Sequence, residues 1–236
     1  MGWTPVTNSG ANFESAGPDT TIVLTLGAAV AVNDIIVGFA AWGTDATDIT
    51  GASDNLGNSY SLLGSTVTDT DNINRSRMFF SKVTVAGTPT ITVSLGASTG
   101  DRKLVAAAWS GGAASPSDGI TGQHQSNVSG TNAAFSGNIT PTANGALIVG
   151  CFFTGSGGPT VAAGTNFTFT PGARTGTSDD AVMEDLVQAT AAAIQATFSI
   201  SGGSSYPNTH VAAFEVATAV ASLLPRRDPM AHVLVR

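Results

Sequence analysis

The sequence predicts an all-β chain: an antiparallel, jelly-roll-like β-sandwich built from two internally repeated halves, followed by an extended C-terminal arm. Three observations predict it. Apolar runs are short, rich in Val, Ile, Phe and Thr, and separated by Gly, Asn, Asp and Pro clusters, which is the pattern of strands and turns. The same succession of runs occurs twice, and the last twenty residues break it.

Taken in order, the first half offers strands over residues 21–26, 34–42, 59–63, 77–85, 90–95 and 103–110. The second offers 133–139, 146–153, 166–169, 181–188, 196–200 and 209–216. Three pairs of runs match in the same order: Asp34-Ile35-Ile36-Val37-Gly38-Phe39 with Gly145-Ala146-Leu147-Ile148-Val149-Gly150, Thr90 through Leu95 with Gln195 through Ile200, and Leu104-Val105-Ala106-Ala107 with His210-Val211-Ala212-Ala213. Such order points to an internal repeat. The first β-repeat is therefore expected over residues 1–110, a Gly/Ser/Asn-rich linking loop over 111–131, the second repeat over 132–216 and the arm over 217–236. Each half could close its own small sandwich, or the two could interleave into one. Residues 179–188 also fit a short helix, but their match to Phe79-Phe80-Ser81-Lys82-Val83 favours a strand.

Composition narrows the function. Charged residues are 11% of the chain, against roughly a quarter in an average globular protein, so the surface is one of Thr, Ser, Asn and Gly, as on proteins that work outside cells or on particles. Residues 1–221 hold fifteen acids against six bases, a net of −9, whereas Arg226, Arg227 and Arg236 against Asp228 give residues 222–236 a net of +2. An acidic body with only Lys82 and Lys103 as lysines offers no phosphate-tracking patch, so no nucleic acid is expected as a partner. No apolar run reaches the length of a membrane helix, the best candidate from Ala28 being cut by Asn33 and Asp34, so no membrane partner is expected either. The start, Met1-Gly2-Trp3-Thr4-Pro5, lacks the basic and then apolar regions of a signal peptide. Either a signal has been removed, or the protein is made in the cytoplasm and leaves by assembly or lysis. The single Cys151, inside an apolar run, reads as a buried small hydrophobe.

The arm is the least repetitive part. Pro225-Arg226-Arg227-Asp228-Pro229 is kept extended by its prolines, and Met230-Ala231-His232-Val233-Leu234-Val235-Arg236 is strand-like and apolar. Val233, Leu234 and Val235 could add a strand to a neighbour's sheet edge while Arg226 and Arg227 pair with acidic surface. Pro225, Arg226, Arg227, Pro229, Met230, His232, Val233, Leu234, Val235 and Arg236 are thus the expected partner-binding residues, in a homo-oligomer.

Two segments carry a resemblance. Trp109-Ser110-Gly111-Gly112-Ala113-Ala114-Ser115-Pro116-Ser117-Asp118 resembles the aromatic-Ser-Gly … Ser-Pro-hydrophobic-Asp segment of a duplicated jelly-roll or concanavalin-like β-sandwich module found in phage virion proteins and secreted bacterial surface proteins. Ser53-Asp54-Asn55-Leu56-Gly57-Asn58-Ser59-Tyr60 looks like its Asp-x-x-Gly-Asn-x-Tyr hairpin, and Asn33 through Val37 like its turn-then-apolar strand. The resemblance covers roughly residues 18–216, with Ser117 where the module usually has a hydrophobic residue. It implies a structural, adhesive or glycan-facing protein without catalytic residues. Together with the arm, it points to a virion component, such as a capsid decoration, head-fibre or tail protein, made in the host cytoplasm and bound to other virion proteins. The alternative is a secreted or cell-surface carbohydrate-binding adhesin module facing a cell-surface glycan.

Each motif with catalytic appearance has a plainer reading. Gly96-Ala97-Ser98-Thr99-Gly100 fits a nucleophile elbow, which needs a strand before it and a helix after it; Asp101-Arg102-Lys103 leads instead into another strand, so a hairpin turn is expected. His124, His210 and His232 lie in three different environments without metal-site spacing. Glu184 and Asp185, neighbours on one strand, point to opposite faces, so they make no glycosidase pair. No enzyme activity and no cofactor are expected. The one cation considered is Ca²⁺, on Asp69-Thr70-Asp71-Asn72-Ile73-Asn74 completed by Asp45, Asp48 or Asp54, although this run lacks the glycine and glutamate of an EF-hand. Among aromatics, Trp3, Trp42, Tyr60 and Tyr206 could stack on sugars; Trp42 and Trp109 read as core, and Tyr206, in a Ser/Gly/Pro loop, is the candidate glycan contact.

Overall fold

The computed structural model describes residues 2–15, 17–43, 47–70, 74–126, 128–129, 133–155, 160–175, 181–202 and 204–218. Among them every regular element is a strand, and no helix is long and apolar enough to cross a membrane. The first half contributes β1 (Thr4–Pro5), β2 (Ala11–Ser15), β3 (Asp19–Thr25), β4 (Ile35–Trp42), β5 (Ile49–Asp54), β6 (Tyr60–Thr68), β7 (Arg75–Lys82), β8 (Thr90–Thr99) and β9 (Arg102–Ser110). The second contributes β10 (Gly112–His124), β11 (Val128–Ser129), β12 (Ala133–Phe135), β13 (Ala146–Thr154), β14 (Thr160–Ala162), β15 (Thr168–Arg174), β16 (Ala181–Gln188), β17 (Thr197–Ser201), β18 (Ser204–Ser205) and β19 (Pro207–Val216).

Each half is a sandwich of its own. In the first, an inner sheet runs β9-β4-β7-β6, with β1 and β2 both on the far side of β9, and an outer sheet runs β3-β8-β5. In the second, the inner sheet runs β10-β19-β13-β16-β15 and the outer one β12-β17-β14. The two orders are the same when β3 through β9 are laid on β12 through β17 and β19, and in each half every successive step but β6–β7 and its counterpart β15–β16 passes from one sheet to the other, in the jelly-roll manner. All pairings are antiparallel.

The inner sheets then pack on each other, which makes four layers and three cores. One core, with Ile22, Trp42, Phe79 and Ile91, lies between the sheets of the first half; another, with Ile148, Phe152 and Phe198, lies within the second. The third joins the halves through Trp3, Phe39, Trp109, Cys151, Phe153 and Phe214. Because both faces of the inner sheets are covered, β4, β13 and most of β9 are buried along their whole length, and this is why they read as unbroken apolar runs instead of alternating ones. Each fully buried large apolar side chain contributes roughly 1.5–3 kcal/mol.

The correspondence between the two halves is offset from the simple run-to-run match. Gly38 pairs with Phe79 and Ala106, and Gly150 pairs with Glu184 and Val211, so the two glycines correspond. Ile36 and Ile148 then face equivalent outer cores. Matching Asp34 with Gly145, or Leu104 with His210, is one residue out of step. In a strand such a slip turns every side chain to the wrong face. The Thr90 and Gln195 runs do match, with Ile91, Val93 and Leu95 buried like Ala196, Phe198 and Ile200.

Residues 111–131, expected as a link, hold the 13-residue edge strand β10, paired with β19. Residues 181–188 are strand, not helix. The arm's residues from 219 onward, including Pro225 through Arg236, lie outside the described residues.

Candidate functional site

In the stack of inner sheets, edge strand β10 lies along edge strand β6, and β19 crosses near β7. Both edges bulge, β6 between Leu63 and Val67 and β10 between Ser117 and Ile120. Bulges bend and twist an edge strand, and here they leave two hollows along the seam between the halves.

The first hollow, about 290 Å³, is lined by Ser59, Ser61, Ser115, Ser117, Phe80 and Lys82. The serines stand two apart on each edge, and alternation puts both of each pair on one face. All four are exposed, while Phe80 and Lys82 are half-buried. The Lys82 Nζ donates to the Gly112 carbonyl at 2.9 Å. Burial pulls the Lys82 pKa down, against the opposing pull of the Asp34 carboxylate.

The second hollow, about 330 Å³, is walled by Thr66, Val67, Ile120 and Thr121 and floored by His210. Arg77 pins the bulge beside it, donating through Nη2 to the Gly64 carbonyl at 2.5 Å. His210 is 1% exposed, lies 2.9 Å through Nε2 from Ser76 Oγ, and packs edge-on to Phe39 with ring centroids 5.3 Å apart. Burial, followed by the Arg77 charge, pushes its pKa down to about 3. Ser76 and His210 thus sit at nucleophile-to-base distance, but Ser76 is fully buried and an imidazole with so low a pKa is a weak base at neutral pH. The pair ties β7 of one half to β19 of the other. Beyond it, His124 Nε2 lies 3.5 Å from Asp69 Oδ1, and Asn208 donates to the Val67 carbonyl at 3.3 Å, so polar groups continue the tie along the seam.

The sequence candidates fall elsewhere. Ser98 is on β8, which turns at Gly100 and Asp101 straight into β9, so the elbow-like motif opens no helix. Asp69 is fully buried against His124 and Asn74, and Asp45 and Asp71, considered with it for Ca²⁺, lie outside the described residues. Among the described residues no three His, Cys, Asp or Glu converge on one point. Glu184 and Asp185 take opposite faces as expected: Glu184 is buried in the second half's own core, 2.8 Å from the Gly164 N–H, and Asp185 accepts from Thr170 at 2.6 Å.

The Asp-x-x-Gly-Asn-x-Tyr run works as a turn staple. Asp54 accepts from the N–H groups of Leu56 and Asn58, from Asn58 Nδ2 and from the Tyr60 hydroxyl. Asn58 Oδ1 accepts in turn from the N–H groups of Thr84 and Val85, and Gly57 supplies a φ of 87° that side-chain-bearing residues avoid. Tyr60 is thereby engaged, Trp42 and Trp109 are fully buried and Trp3 nearly so; Tyr206 is half-buried between β18 and β19.

The seam groove is what reading along the chain misses. Its walls come from segments about fifty residues apart, and the only local signal is the repeated Ser-x-Ser of Ser59/Ser61 and Ser115/Ser117. No protein-family model matches the chain, nor does any curated protein or solved structure.

Proposed function

We propose that this chain is a structural and interaction protein of a virus particle, a capsid decoration, head-fibre or tail component, that forms homo-oligomers and docks on other virion proteins through residues 225–236. The observation that carries the reading is an acidic body followed in the chain by a basic, apolar segment. Among the described residues the three cores draw on side chains from Trp3 to Val216, and the positive charge of Arg226, Arg227 and Arg236 follows them in the chain. The body ends at the seam, where the Ala217 N–H donates to the Gly111 carbonyl at 2.7 Å, so a segment leaving there starts from the junction of both halves. The engagement of polar groups such as Asp54, Asp69 and Ser76 in structural bonds supports a platform role over a catalytic one.

Deleting residues 222–236 is expected to abolish oligomerisation, read by light scattering after size exclusion, with the body's melting temperature unchanged. A truncated chain that assembles like the full chain would overturn the reading. The seam groove favours a second one, a carbohydrate-binding module of a bacterial surface protein, because hydroxyl-lined clefts suit sugars. Glycan-array binding that survives the deletion is its signature.

A further inference from the structure

We infer that the Lys82 hollow is a binding subsite for a sugar residue bearing a single carboxylate, within a glycan laid along the β6–β10 seam. The inference rests on the carbohydrate reading of the groove and adds the class of sugar. Three features carry it. The first is the cation: Lys103 is held by Glu14 at 2.6 Å and Asp101 at 3.3 Å, whereas Lys82 gives one hydrogen to the Gly112 carbonyl and has no carboxylate oxygen within 4.0 Å among the described residues. An ammonium has three donors, so two remain for a ligand in the hollow.

The second feature is the walls. Ser59 and Ser61 on one side and Ser115 and Ser117 on the other are exposed and line the same space. A hydroxyl both donates and accepts, which matches sugar hydroxyls; a phosphate offers mainly acceptors. The third is Phe80, whose half-buried ring gives the hollow one apolar wall, as the C–H face of a pyranose requires. Charge separates the remaining anions. The Asp34 carboxylate acts on Lys82 and the surrounding body carries a net of −9, so a doubly charged phosphate meets more repulsion here than a carboxylate with one charge.

The test titrates the full chain with glucuronate, glucose, acetate and inorganic phosphate, following amide chemical shifts. Glucuronate is expected to shift residues 59–61, 80–82 and 114–117, and to bind at least about tenfold more tightly than glucose or acetate, a difference of about 1.4 kcal/mol. Lys82→Met should erase that preference. Since Lys82 also holds Gly112, Ser61→Ala is the companion variant, exposed and expected to weaken glucuronate several-fold with an unchanged melting temperature. Acetate or phosphate matching glucuronate would overturn the inference by making the hollow a general anion site. Glucose binding there as tightly as glucuronate would overturn it while leaving the carbohydrate reading intact, and absence of any saccharide binding, on the array as well, would overturn both.

Discussion

The turns β5–β6 and β14–β15 occupy the same place in the two halves, each leading from the outer sheet to the edge of the inner one, and each is held by a carboxyl group. In the first half the group belongs to the turn: Asp54 sits at its start and receives four donors. In the second half it comes from the sheet behind: Glu184 reaches from β16 through the core to the Gly164 N–H. Burial alone would raise the Asp54 pKa, but donors from Asn58, Tyr60 and Leu56 outweigh it and hold it below the usual range. Burial dominates at Glu184, helped by Asp185, and the N–H groups of Gly164 and Thr197 do not offset it, so its pKa rises to about 8. One of its oxygens, Oε1, has no hydrogen-bond partner. The same topology has thus been closed by two devices whose dependence on pH is opposite.

The position of Glu184 in the first half is held by Phe79, which lies against Gly38 so closely that a Cβ there would sit 2.2 Å from the ring. Gly150 gives Glu184 the same room, a Cβ there falling 2.8 Å from Oε1. The largest expected effect therefore belongs to the apolar half: Phe79→Ala leaves a ring-sized void and should cost about 3–5 kcal/mol in urea unfolding. A loss under about 1 kcal/mol would mean that the first half's core is not closed around this ring.

Next comes the pH slope of the second half. A carboxyl whose folded pKa is raised stabilises the fold fully below its unfolded pKa near 4.5, and that contribution is lost as pH rises through about 8. Stability should fall by about 1 kcal/mol per pH unit between roughly 5 and 8, and Glu184→Gln should flatten the decline. Asp54 has the opposite sign. Its contribution is present above the unfolded pKa and lost as pH falls through the depressed folded value, so Asp54→Ala should cost about 2 kcal/mol at neutral pH and much less in acid. Equal costs at pH 7 and pH 3 would remove the charge-assisted account of this turn.

How far the sequence speaks follows the same physics. Strands buried on both faces, such as β4 and β13, announce themselves as apolar runs, and the half-buried β3 and β8 by alternation, so the sandwich class is legible. Strand β5 has one large apolar residue, Ile49, in six, and β10 reads as a Gly/Ser linker because an edge strand needs little burial on its free side. Register is illegible where small residues repeat: Ala106-Ala107-Ala108 and Ala212-Ala213 align equally well one step apart, and only the pairing of Gly38 and Gly150 with their neighbours resolves them. The groove fares worst, since serine runs on two edges acquire meaning only once the halves are stacked.

The smallest effect tests the seam. Ser76 and His210 face each other across the halves, and the equivalent positions on the opposite flank are Ala181 and Val105, both buried in the shared core. The pair on one flank is therefore joined by a hydrogen bond, and its counterpart on the other consists of two apolar side chains in the shared core. Burial, with Arg77, holds His210 neutral with a pKa of about 3, below the unfolded value near 6.5, so the unfolded chain binds the extra proton and stability falls as pH drops from about 6.5 towards 3. Ser76→Ala strands the imidazole without its partner and should cost about 1 kcal/mol. Adding His210→Leu makes the pair apolar like its counterpart, and the double variant should regain most of that loss and show a shallower acid slope. Such recovery would mean that the polar tie contributes register between the halves more than net stability, as buried polar pairs elsewhere can; a double variant less stable than either single change would make the hydrogen bond itself what holds this flank closed.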